Sequence, residues 1–191
     1  MREPSLNTNT NLKSGFTIRQ IAIIGVMTAA TCILAPFSIP IGPVPISLTN
    51  LVIYFALYLL GTKDAVISYL VYLLIGLVGV PVFSGFTSGP EKLFGPTGGY
   101  LIGFIPMAII AGIFIDKFTS KRLLCLAGMI LGTLVCYLCG TAWLAFQANL
   151  GFKAALFAGV IPFLPGDLIK MILAMVMGPQ IRNQLQRANL R

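Results

Sequence analysis

Six apolar runs, separated by short polar or Pro/Gly-rich stretches, set the pattern of this chain. They cover roughly Ile18–Ala35, Ile46–Gly61, Ala65–Val80, Gly98–Ile115, Leu123–Phe146 and Gly159–Gly178. About 20 mostly apolar residues cross a bilayer as a helix, and shorter runs suffice with membrane thinning or partial burial. The pattern predicts an all-α integral membrane bundle of six transmembrane helices, one membrane domain over residues 1–191. The second and third runs are short and separated only by Thr62-Lys63-Asp64, which predicts a tight helical hairpin.

Composition narrows the class further. The 191 residues are 57% hydrophobic and 9% charged, far from the roughly 45–50% and about 25% of soluble domains. The polar first 17 residues lack an apolar core before a small-residue cleavage site, so no signal peptide is expected. A net charge of +8 invites a nucleic-acid reading, but the cations sit at the ends of apolar runs and form no basic face. Their distribution sets orientation instead. Arg2, Lys13, Arg19, Lys63, Lys117, Lys121, Arg122, Arg182, Arg187 and Arg191 fall on one side, and only Lys92 and Lys153 on the other. Cytoplasmic loops carry the excess of Lys and Arg, so both termini are placed in the cytoplasm.

The two ends also differ in their links. The external ones, Pro36–Pro45 and Pro81–Thr97, are long and rich in Pro and Gly. Such backbone does not continue a helix, and near a bilayer it persists only when covered by protein or lining a polar cavity. A pocket near the outer face, capped by these links, is expected, with ordinary exposed turns as the simpler alternative. No internal repeat is evident, which argues against an inverted-repeat secondary transporter.

Candidate chemistry concentrates in GVIPFLPGDLIK, Gly159 to Lys170. Asp167 and Lys170 lie three residues apart, hence on one helical face. Holding either at the centre of a span costs about 2.5–3.5 kcal/mol on insertion scales, so ionisable groups there usually face a partner, cavity or ligand. An ion pair serving only helix packing is the simpler reading, and the Pro-Gly before Asp167 favours ligand contact by opening a helix start with free N–H groups. GPTGGYLIGF, Gly95 to Phe104, adds close-approach glycines and Tyr100; it is either a helix cap with packing glycines or part of a site. Ser47, Thr49 and Asn50 stand at the start of the second span, as cap or as ligand contacts. Trp143, one turn from Gln147, is expected to anchor at the lipid interface.

Absences weigh as well. Histidine is missing, and no Walker A sequence or catalytic carboxylate pair occurs, which disfavours an enzyme. Cys136 and Cys139 form C-x-x-C without a second pair or a polar neighbour, so buried packing is expected rather than redox or metal chemistry. In the first span Ala22, Gly25, Ala29 and Ala30 make a small-residue face, for which internal packing is the default.

GPVPISL, GLVGVPVF, GPTGGYLIGF and above all GVIPFLPGDLIK together resemble the BioY family, the biotin-specific S components of energy-coupling-factor transporters. The matches span roughly residues 17 to 180. The resemblance implies a six-helix subunit of the prokaryotic plasma membrane that binds biotin with high affinity from outside. It also implies partnership with a transmembrane coupling protein and two ATPases, and toppling of the subunit within the bilayer. Asp167, Lys170, Gly98, Gly99 and Tyr100 correspond to the family's site motifs, and Ala22, Gly25 and Ala29 to its docking face. The Gly89-Pro90-Glu91-Lys92 stretch departs from the family's more glycine-rich loop. On chemical grounds Asp167 suits the ureido N–H groups, and Lys170 either the valerate carboxylate or Asp167 itself. Val44, Pro45, Ile46, Phe83 and Tyr100 suit the apolar ring and tail. Biotin is cargo, and no cofactor or metal is expected. The alternative is a stand-alone proton-coupled carrier using Asp167.

Overall fold

The computed structural model describes residues 16–41 and 44–187. Arg2, Lys13 and Arg191 of the charge count, and the Gly42-Pro43 pair of the first external link, lie outside them. Ten elements follow in order: α1 (Ile18–Leu34), β1 (Ser38–Ile39), β2 (Ile46–Ser47), α2 (Thr49–Leu60), α3 (Thr62–Leu77), α4 (Pro90–Phe94), α5 (Gly98–Lys117), α6 (Arg122–Gln147), α7 (Phe152–Gly159) and α8 (Leu164–Arg187). The six longer helices build the predicted helical membrane bundle. Among them α5, α6 and α8 are each long and apolar enough to cross a bilayer unaided.

Three predicted boundaries shift, each for a local reason. The second span begins at Thr49, not Ile46, because Ile46 and Ser47 pair antiparallel with Ile39 and Ser38. That leaves α2 with 12 residues, about 18 Å at 1.5 Å per residue and well short of a roughly 30 Å hydrocarbon core. Thr62-Lys63-Asp64 is no linker but the first turn of α3. Gly61 alone makes the corner at φ +84°, a conformation that costs glycine little. Asp116 of α5 then caps α3, accepting from the Thr62 N–H at 2.9 Å and from its hydroxyl at 2.6 Å. The sixth span starts at Leu164 rather than Gly159, which closes the separate helix α7. Pro165 falls in the first turn of α8, where a missing N–H is harmless.

Close backbone approach holds α5 against α6. A Cβ on Gly99 would lie 2.2 Å from that of Trp143, one on Gly132 2.7 Å from the Met107 carbonyl, and one on Gly140 2.3 Å from the Tyr100 ring. Trp143, half-buried, also clamps this seam: its indole N–H donates to the Gly95 carbonyl at 2.9 Å. Gln147 likewise donates to the Phe94 carbonyl. Of the C-x-x-C pair, Cys136 is buried as expected, whereas Cys139 is exposed on the outer surface of α6. Successive turns of one helix face different media there.

Helix α1 lies at the edge, buried only through Ile24, Thr28 and Thr31. Thr28 meets Ser68 of α3 at 3.0 Å between hydroxyls. Ala22, Gly25 and Ala29 point away from the bundle, and a Cβ on Gly25 would meet nothing within 4 Å. The internal packing expected of that stripe does not occur, since the β-branched face of α1 takes the contact with α3. At the opposite end of the bundle the external links are knitted together. The Gly85 N–H donates to the Pro36 carbonyl at 2.9 Å, and the Phe37 and Phe86 rings meet edge-on at 5.6 Å.

Candidate functional site

Because α2 starts late and α8 starts only after the turn at 160–163, a recess opens between the outer ends of α2, α5, α6 and α8. It encloses about 60 Å³ of free space, well below the roughly 300–1,000 Å³ typical of small-molecule sites. Val44, Pro45, Ile46, Phe104, Met107 and Phe163 give it apolar walls. Pro45 of the first external link and Ser84 and Thr97 of the second bring both links to its lining.

Its polar wall is one connected cluster. Lys170 and Asp167, 8% and 7% exposed, form a salt bridge at 3.0 Å across one turn of α8. The ammonium also donates to the Ser47 carbonyl at 2.7 Å and to Asn50 Oδ1 at 3.1 Å. An ammonium has three N–H donors, and all three are engaged. Asp167 receives a second donor, the Tyr137 hydroxyl, at 2.6 Å on its other oxygen. A carboxylate offers about four lone-pair sites, so acceptor capacity remains on the recess side. Lys170 therefore ties the floor of the site on α8 to the β2–α2 junction, and Asp167 is oriented from both ends.

Of the predicted residues, Val44, Pro45, Ile46, Tyr100, Asp167 and Lys170 all line the recess. Tyr100 spends its hydroxyl on the Gly159 carbonyl at 2.9 Å, so it offers its ring and fastens α7. Phe83, Gly98 and Gly99 do not line it. Phe83 is fully buried against Gly76 and Tyr72, and the two glycines pack on Leu93 and Trp143. Ser47, Thr49 and Asn50 line the recess, and Ser47 and Asn50 also accept from first-turn N–H groups of α2, Thr49 at 3.4 Å and Leu51 at 3.0 Å. Sequence reasoning missed Tyr137. The signal was present: Thr133, Cys136, Tyr137 and Gly140 recur at helical spacing on one face of an otherwise apolar span. Lys92, outside the spans, is half-buried on α4, and desolvation holds its ammonium below the usual lysine range.

Comparison with known proteins gives a consistent picture. The model of the BioY family matches residues 7–187. The biotin transporter BioY2 of Lactococcus lactis subsp. cremoris is 34% identical over 169 residues, covering 88% of this chain and 93% of its own. The biotin transporter BioY of Thermotoga maritima is 35% identical over 165 residues, covering 86% and 96%. Among solved structures, the S-component for biotin from an ECF-type ABC transporter superposes with a TM-score of 0.81 at 33% identity, covering 88% of this chain and 95% of that one.

Proposed function

The chain belongs to the BioY family, and on that premise we propose that it captures biotin as the S-component of an ECF-type ABC importer, with the outer recess as its binding site. It is a multi-pass transport subunit of the cell membrane, not an enzyme. The observation that carries the site is the buried Asp167 carboxylate, clamped by Tyr137 and Lys170 on the wall of a mostly apolar recess. Biotin presents two ureido N–H donors, a carbonyl, an apolar bicycle and a carboxylate-ended tail. The free lone pairs of Asp167 suit the N–H donors, and the apolar walls suit the bicycle and tail. With its donors committed to Asp167, Asn50 and Ser47, Lys170 orients the acceptor and pins the lid.

Energy comes from partners in an ECF module. In its finer form this reading assigns a coupling protein and two ATPases, with the outward stripe of Ala22, Gly25 and Ala29 as the docking face for the former. That face supports the reading because its small side chains admit a second helix closely. The salt bridge between Asp167 and Lys170 weakens the alternative of a proton-coupled carrier, because Lys170 already supplies the carboxylate with a partner inside the bundle. Titration of purified protein with biotin tests the site. Asp167→Asn should lose affinity by tenfold or more, and unchanged affinity would remove the pair from the site.

A further inference from the structure

Asn50 is only 4% exposed and stands in the recess wall beside the salt bridge. Two donors converge on its Oδ1, Lys170 Nζ at 3.1 Å and the Leu51 N–H at 3.0 Å. This fixes the amide one way round, because only the oxygen can accept. Its Nδ2 makes no hydrogen bond among the described residues and is not one of the fully enclosed unpartnered atoms, so it stands as an open donor at the recess wall. Asp167 Oδ1 and Asn50 Oδ1 share the same ammonium, at 3.0 and 3.1 Å, so they lie within about 6 Å of each other. The site thus carries an open acceptor and an open donor on two side chains that share one ammonium.

That juxtaposition matches one edge of a cyclic urea, where an N–H donor adjoins a carbonyl acceptor. We propose that Asn50 is a specificity-determining residue whose amide donates to the ureido carbonyl of biotin while Asp167 accepts the neighbouring ring N–H. The inference rests on the biotin reading above and assigns the orientation of the ligand. The valerate carboxylate cannot be the group met by Asn50 in this arrangement. The bicycle and tail separate it from the ureido edge, and a second carboxylate beside Asp167 would be repelled.

Binding ratios within each variant test this, since a general folding defect cancels from a ratio. In 2-iminobiotin the ureido carbonyl is replaced by an imine that is protonated at neutral pH, so a donor stands where biotin accepts. Asn50→Asp, which turns the amide donor into an acceptor, should lower the preference for biotin over 2-iminobiotin by about tenfold or more. Asn50→Ala should shrink the preference for biotin over 2-thiobiotin, whose sulfur accepts poorly. Biotin methyl ester should follow biotin in both variants. Ratios equal to those of the parent would overturn the assignment, as would ester binding that is spared in Asn50→Asp. A parent protein that binds no biotin would instead remove the function on which the assignment rests.

Discussion

Lys170→Met leaves Asp167 as a buried carboxylate with a single remaining donor, Tyr137. It also releases the Ser47 carbonyl and Asn50 Oδ1 from the ammonium. Two effects compete to explain the cost. Removing one partner of a buried ion pair typically costs about 3–5 kcal/mol, because the surviving charge stays desolvated. Interhelical hydrogen bonds in membrane bundles average only about 0.6 kcal/mol each, so losing the two loop contacts adds roughly 1 kcal/mol. The stranded charge should dominate. At roughly 2–4 °C per kcal/mol for a chain of this size, the midpoint of thermal unfolding in detergent should fall by about 8–24 °C. The double variant Asp167→Asn/Lys170→Met removes the stranded charge and should recover most of the loss. Asp167→Asn alone should be milder, since Lys170 keeps neutral oxygen acceptors on Ser47 and Asn50. If the double variant proves as unstable as Lys170→Met, the loop contacts carry the energy and the charge argument is wrong.

Further outcomes follow from the same geometry. Tyr137→Phe removes a charge-assisted bond to Asp167, worth about 1.5–3 kcal/mol, and calorimetry should show weaker biotin binding with the fold retained. Gly76→Val drives a Cβ to 2.2 Å from the Phe83 ring, so the external link should lose protection from protease well before the bundle melts. Gly25→Trp meets open space and should leave biotin titrations and melting unchanged while abolishing co-purification of a coupling protein. Intact assembly in that variant would remove α1 as the docking face.

The spans were legible because a bilayer demands long apolar runs, and the recess because charge inside such a run needs a reason. Boundaries were not, wherever a residue away from the run decided them. Ser38–Ile39 claims Ile46–Ser47 for a ribbon, and Asp116 caps α3 from another helix. Asp167 and Lys170 announce themselves by charge. Tyr137 is an ordinary polar residue whose meaning appears only when α6 is brought against α8, and Asn50 stays open between cap and ligand contact until α2 meets α8. Phe83, Gly98 and Gly99 mislead for the opposite reason. Their neighbours in sequence reach the recess, while they fill the packing behind it.

The glycine contacts between α5 and α6 bear on how cargo could leave. Below the recess, Met107, Met129, Leu57, Tyr58 and Ile115 are all completely buried. Backbones in such close contact cannot part by degrees without opening voids that nothing in the bundle can fill. The site therefore has a way in and no corresponding way through. On the proposed reading, such packing favours motion of the whole subunit over a channel through it, and the exposed stripe on α1 offers a second helix a close approach.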